Sequence, residues 1–438
     1  MNIVDRGKAF LQALRALAAA TAWDWRRCPA CGDTLTCKWG SYTRHPWTLA
    51  GRRVVRVQRH RCEPCSARWG RHVTYAEASA WLVGGSWYAR EVRRCAIDHW
   101  QHLGTSARRT AEVLRSWLGR QERWRWWRPL DPLPADAAAC RLSASTVDRW
   151  LDQAGHAARQ TVPGQLAGVR PSGQLATDGL WARLRGGAKR PKGVVLALVD
   201  GVSGLVWPPV TAEGEETPGP WAKLFRRARA AGLDVHAVRG LTSDGAPGLE
   251  AFRRRTLPWV SHQRCVFHLW RGLAAALAQA VATAVADRTG AAAKAVRTQT
   301  RRGLVGLVRA VFDAPSWAAA EAALATLAAH ELGAALATAV RAHLDAALIH
   351  LCGYNAGLLR VGPEWLWRDF RLRLSRGRNH GSDPRLERAA LVWAIYRNFE
   401  PAQGRCERKR RYRHPGRCPL AVAGAPPGEV SYLDALGI

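Results

Sequence analysis

With 438 residues, 47% of them hydrophobic, the chain has material for two or three domains with cores of their own, which excludes disorder as its default state. Lys and Arg number 66 against 34 Asp and Glu, a formal charge of +32, so nucleic acid is the expected partner and a compositional arginine bias the bland alternative. The N-terminal apolar run is interrupted by Arg15 and the Ala-rich stretch Gly272 to Ala286 is short and holds Gln279, so no secretory or membrane segment is expected and the location predicted is cytoplasmic.

Residues 1–75 carry Cys28-Pro-Ala-Cys31 and Cys62-Glu-Pro-Cys65, joined by an alternating span that includes Arg53 to Arg59. Two such knuckles on tight turns can present four thiolates to one Zn²⁺, and a module this small has little other core. A zinc ribbon with a structural ion is the expectation, with Cys37 an alternative ligand and unligated thiols the plain reading. Eleven cysteines in so long a chain do not make a disulfide framework, so the thiols are expected to be reduced.

Residues 86–156 change to helical periodicity, over Tyr88 to Leu103, Thr105 to Leu118 and Ser145 to Ala154. The last two read as a helix-turn-helix DNA-binding region, with Ser143 or Ser145 capping the second helix and Thr146 and Arg149 facing DNA. A plain helical hairpin fits the same pattern. The arginine-flanked tryptophans Arg123-Trp-Arg-Trp-Trp-Arg128 could stack on unpaired bases, although most of the 22 tryptophans should be core.

Between Gln174 and His268 strands and helices alternate. Strands are predicted at Gln174 to Leu184, Gly193 to Asp200, Gly204 to Val210, Val235 to Thr242 and Trp259 to Cys265, with helices at Pro220 to Ala231 and Pro247 to Arg255. A three-strand meander followed by helix, strand, helix, strand is the order of an α/β RNase H-like core, assigned to residues 170–268 and 353–400. A long all-α insertion at 269–352 separates the two parts, and a basic tail rich in Pro and Gly fills 401–438.

Cutting and joining phosphodiesters calls for two hard cations about 3.5–4 Å apart, held by converging carboxylates. Asp-Gly, also the commonest short turn signal, occurs at Asp178, Asp200 and Asp244. Asp200 lies between two apolar strands and reads as a hairpin turn. Asp178 sits within a strand, and Asp244 projects from a strand's carboxyl end, where open α/β sheets place their ligands.

Leu241-Thr-Ser-Asp-Gly-Ala-Pro-Gly-Leu-Glu250 and His262-Gln-Arg-Cys-Val-Phe-His-Leu-Trp-Arg271 resemble the second-aspartate and Cys-x-x-His blocks of Mutator-like and related bacterial insertion-sequence transposases. Asp178-Gly-Leu-Trp181 resembles their first-aspartate block. The resemblance implies a DDE-type DNA transposase that recognises terminal inverted repeats, acts as a homo-oligomer on DNA and cleaves and joins strands with Mg²⁺ or Mn²⁺. Asp178, Asp244 and Glu364 are then the catalytic metal ligands, Cys265 and His268 a paired motif with a local structural or DNA-proximal role, and Arg371 and Arg373 phosphate contacts. Arg360-Val-Gly-Pro363 stands where the family commonly has Thr-Asn before its glutamate, and Asp369 and Glu387 compete with Glu364 for the third place. Rival functions are a catalytically inactive, transposase-derived DNA-binding regulator and an RNase H-like nuclease without strand transfer.

Overall fold

In the computed structural model of the chain, the described residues are 26–76, 82–83, 86–124, 140–183, 192–213, 216–352, 360, 362, 367, 370–371, 383–401, 414, 416–428 and 430–438. The chain divides into two compact units, residues 1–151 and 152–437.

In the first unit, strand β1 (Thr36–Arg44), the short ribbon β2 (Trp47–Thr48) and β3 (Gly51–Arg52), β4 (Val55–Cys62), helix α1 (Glu63–Trp69) and β5 (Thr74–Ala76) follow in order. β4 pairs antiparallel with both β1 and β5. The interior of this module is thin: buried Cys28, Cys62 and Cys65 with Val73 and Tyr75 against them. Helices α2 (Arg90–Leu103) and α3 (Ala107–Trp124) come next, α2 ending on Gly104, whose φ of 58° is the left-handed cap that glycine adopts without a Cβ penalty. At the start of α4 (Ala144–Gln165) the Ser143 hydroxyl accepts the Thr146 amide at 3.2 Å, the expected cap. The Arg-Trp cluster begins at the end of α3, and its residues 125–128 lie outside the described residues.

The second unit is built on a five-stranded sheet ordered β10-β9-β6-β7-β8, from β6 (Gln174–Arg183), β7 (Lys192–Asp200), β8 (Val210–Glu213), β9 (Gly240–Ser243) and β10 (Ser261–Arg264). β7 runs antiparallel to β6 and β8, while β9 is parallel to β6 and to β10. Helices α5 (Pro218–Ala230) and α6 (Pro247–Thr256) intervene before β9 and β10. The first two strands fall where the periodicity puts them. The third does not: Gly204 to Val210 holds only a bridge from Val206 to Val199, and the strand starts at Val210. Pro208 and Pro209 have no N–H to offer a ladder, so pairing resumes only after them. The predicted Val235 to Thr242 strand likewise opens with a 3₁₀ turn, Val235–Ala237, capped by the Asp234 side chain, and only Gly240–Ser243 pairs.

Side chains alternate across β6. Leu180 and Ala182 share a core with Trp367, Phe370, Leu386 and Trp393, on the face covered by helix α13 (Asp383–Phe399). Between β10 and that helix run α7 (Val266–Gly272), α8 (Ala274–Ala284), α9 (Gly290–Phe312), α10 (Trp317–Ala329), α11 (Ala334–Arg341) and α12 (Leu344–Ala347). They close over an apolar interior of their own that includes Leu304, Val308, Phe312, Leu324, Leu336 and Val340. Among the described residues no helix is long and apolar enough to cross a membrane.

Candidate active site

Asp178 is buried in the middle of central strand β6, opposite Ala197 of β7, and Asp244 follows the last residue of the neighbouring strand β9. Parallel pairing of β6 with β9 lines up their carboxyl-terminal directions, so two acids 66 residues apart converge: side-chain ligand atoms of Asp178, Asp244 and His268 all lie within 4.8 Å of one another. Two carboxylates and an imidazole in this arrangement could hold a divalent metal ion.

The loop bearing Asp244 is braced from below. Gly245 has φ of +75°, and a Cβ there would stand 2.3 Å from the Arg264 guanidinium carbon, so the Asp-Gly pair serves both the turn and a close approach. Asp244 Oδ1 accepts the Ala246 amide at 2.9 Å, and the Ser243 hydroxyl oxygen accepts the Gly245 amide at 3.0 Å. That hydroxyl lies 2.7 Å from His262 Nε2, while His262 Nδ1 lies 2.5 Å from Glu250 Oε1. Burial drives the His262 imidazole down to about 4, so the ring is neutral at physiological pH. The Ser243 hydroxyl is thus held between the imidazole and the Gly245 amide, which fixes the turn that carries Asp244.

Cys265 and His268 part company. Buried Cys265 accepts the Gly362 amide on Sγ at 3.1 Å, and the next amide, of Val266, donates to the Arg360 carbonyl at 2.9 Å. His268, one turn into α7, joins the aspartates instead.

Residues 173–356 match the family model described as Transposase, Mutator family. Over that stretch the chain is similar to the Mutator-family transposases. Among curated proteins, none matches the chain. The match spans both aspartates, His268 and the helical region from α7 to α12. Transposases of this kind bind DNA, and cleavage and strand transfer are the activity the family implies.

Other acids of the matched stretch and its flank are committed elsewhere. Asp200 accepts from the Ser172 amide and hydroxyl, the Val202 amide, and the Ser203 amide and hydroxyl, at 2.7–3.1 Å, and so holds the turn read for it. Glu387 is pinned on Oε1 by Arg159 at 2.6 Å and Arg227 at 2.9 Å, and on Oε2 by Lys223 at 3.3 Å and the Thr211 amide and hydroxyl, which removes it from the candidates for a third catalytic acid. Glu364, Asp369 and Arg373 lie outside the described residues; Arg371 is exposed. In the first unit Arg149 is exposed, and the Thr146 hydroxyl lies 3.0 Å from that of Ser143.

An acid that periodicity overlooked also borders the site. Glu216 lies between β8 and α5, and burial together with the nearby Asp244 charge pushes its carboxyl up to about 7. Its signal was the placement of an acid between a strand's carboxyl end and a Pro-led helix, obscured because the third strand was expected to end at Val210.

The four ribbon cysteines, Cys28, Cys31, Cys62 and Cys65, cluster within 4.8 Å. Tetrahedral zinc with Zn–S bonds of about 2.3 Å separates its sulfurs by about 3.8 Å. Cys28 and Cys65 lie 3.8 Å apart and Cys31 and Cys62 3.6 Å, so these two pairs have the spacing of zinc-bound thiolates. Burial works to raise the Cys28 thiol, but the Ala30 and Cys31 amides and neighbouring thiols outweigh it and bring it to about 7. Cys37 points elsewhere, donating to Glu63 at 3.3 Å.

Proposed function

We propose that the protein is a DDE-type DNA transposase of a bacterial insertion sequence, binding terminal inverted repeats and cleaving and joining DNA with Mg²⁺ or Mn²⁺ at Asp178, Asp244 and Glu364. The observation that carries this reading is the convergence of Asp178, Asp244 and His268 where the carboxyl end of β9 meets the middle of β6. Its strands follow in the order meander, helix, strand, helix, strand, which supports an RNase H-like core.

Divalent cations held there supply activation of the attacking hydroxyl and stabilisation of the leaving oxygen. Asp178 contributes a carboxylate fixed by a central strand, and Asp244 one fixed by the Ser243, His262 and Glu250 brace. His268 adds an imidazole nitrogen to the same sphere. Two links favour Glu364 as the third acid. Arg360 and Gly362 are tied to the β10–α7 junction just ahead of it, and Trp367 and Phe370, just after it, pack on the face of β6 that alternation shares with Asp178.

The zinc ribbon, with its ion in a structural role, and the helices of residues 86–156 form the DNA-end-binding modules, with Thr146 and Arg149 of α4 and Arg371 and Arg373 toward the C-terminus on phosphate or base edges. The enzyme works as a homo-oligomer on paired ends. On donor DNA carrying the gene's own flanks, the wild-type protein should nick and join in Mg²⁺. Asp244→Ala should abolish both reactions yet shift the end fragment as well as wild type, because phosphate contacts elsewhere dominate affinity. Full activity of that variant removes the proposal; a wild-type protein that binds the ends and never nicks them makes the chain a regulator instead.

A further inference from the structure

We infer that Glu216 is a further metal-binding carboxylate of this centre, reaching it from the face of β6 opposite to Asp178. The inference rests on the proposed reading of Asp178 and Asp244 as metal ligands.

Two glycines locate the side chain. A Cβ on Gly179, the residue after Asp178, would stand 2.4 Å from Glu216 Oε1 and 2.9 Å from its Cδ, so the carboxyl lies directly against the β6 backbone. A Cβ on Gly248, four residues after Asp244, would stand 1.8 Å from the Glu216 carbonyl oxygen. Glu216 is therefore lodged between the strand that carries Asp178 and the loop and helix start that follow Asp244. Neither glycine has a positive φ, so backbone conformation does not call for them; the room they leave is filled by Glu216.

The carboxyl is also incompletely satisfied. The Trp181 side chain donates a hydrogen bond to it, but Oε2 is buried with no hydrogen-bond partner, and among the described residues no Lys or Arg pairs with it. Burying a carboxylate oxygen unpaired is costly, and a group of this kind persists where something outside the chain completes it. The ligand count has room for such a role: each Mg²⁺ takes one or two carboxylates, so a pair of ions can accept Glu216 beside Asp178, Asp244 and Glu364.

Mn²⁺ titration of the full-length protein without DNA, followed by electron paramagnetic resonance, tests this on the wild type, Glu216→Gln, Gly179→Ala and Asp244→Asn. Glu216→Gln is expected to lose one bound Mn²⁺ or bind it about 10–100-fold more weakly. The melting temperature of its metal-free form should hold or rise, because a neutral amide replaces a buried acid, and only the Mn²⁺-induced rise should shrink. Gly179→Ala should give the same Mn²⁺ defect with Glu216 intact, since its methyl displaces the carboxyl, and it serves if Glu216→Gln does not fold. Wild-type Mn²⁺ stoichiometry and affinity in both variants, with Asp244→Asn defective, overturns the role of Glu216 alone. Wild-type Mn²⁺ binding in Asp244→Asn overturns the reading of the centre and this inference with it.

Discussion

Near the start of β8 and just past its end lie two glutamates, one buried and one half-buried, with opposite surroundings. Glu387, on α13, meets the second residue of the strand, Thr211, and its side chain is 3% exposed. Burial alone would raise its pKa, but Arg227, the Thr211 amide and Lys223 outweigh that and hold the carboxyl at about 2. Glu216 has the like charge of Asp244 for a neighbour, and burial and that charge drive it to about 7. The first acid brings its counter-charges from α4 and α5 and ties those helices to α13; the second is placed beside other acids with its charge unanswered. The difference separates a carboxylate that builds the fold from one left without a cationic partner among the described residues, although the two lie on neighbouring stretches of one domain.

The contrast is sharpened most by Asp244→Asn, which should lower Mg²⁺-dependent DNA cleavage on the order of a thousandfold, since metal-ion stabilisation of the developing charge is worth several kcal/mol. Its melting temperature without metal should not fall, because one of several crowded like charges is removed; a large drop would put Asp244 in the same class as Glu387. Glu387→Gln should do the reverse. Leaving three cations without their buried partner costs about 3 kcal/mol or more, read by urea unfolding, while the cleavage rate per folded molecule stays at the wild-type value.

Acid gives the same test without mutation. The Glu387 pKa is depressed on folding, so its contribution is fully present above its ordinary value of 4.5 and is lost as pH falls from there toward about 2. Stability measured across that window should fall by roughly 3 kcal/mol more in the wild type than in Glu387→Gln. Parallel acid limbs in the two proteins would contradict the assignment. The smallest expected effect is on the brace beneath Asp244. His262→Ala should reduce cleavage about 10–100-fold, and His262→Gln, whose amide can both accept from Ser243 and donate to Glu250, should recover part of it. Equal activity in the alanine variant would make the brace a packing feature.

Much of this layout was legible in the residues. The periodicity of Gln174 to Arg183 marks a strand, in the middle of which Asp178 stands, and an Asp-Gly pair after an apolar strand marks a turn at that strand's carboxyl end, where Asp244 stands. Paired cysteine knuckles likewise announce their own cluster. Long-range pairing was harder to read. Nothing in the local pattern around Glu387 tells that three cations from 160 to 228 residues away converge on it. Cys265 and His268 looked like one motif because they are three residues apart, yet one latches the Gly362 amide and the other meets the aspartates. Glu216 was missed because Pro208 and Pro209 displace the third strand toward it, a shift that hydrophobic alternation does not register.

Whether Asp178 and Asp244 grip the same cation is decided most directly by Mn²⁺ affinity in Asp178→Asn, Asp244→Asn and the double variant. Partners on one ion should be non-additive: each single substitution weakens binding sharply and the double scarcely more than either. Wild-type affinity in either single variant, or losses that multiply in the double, would mean that the two aspartates do not share an ion.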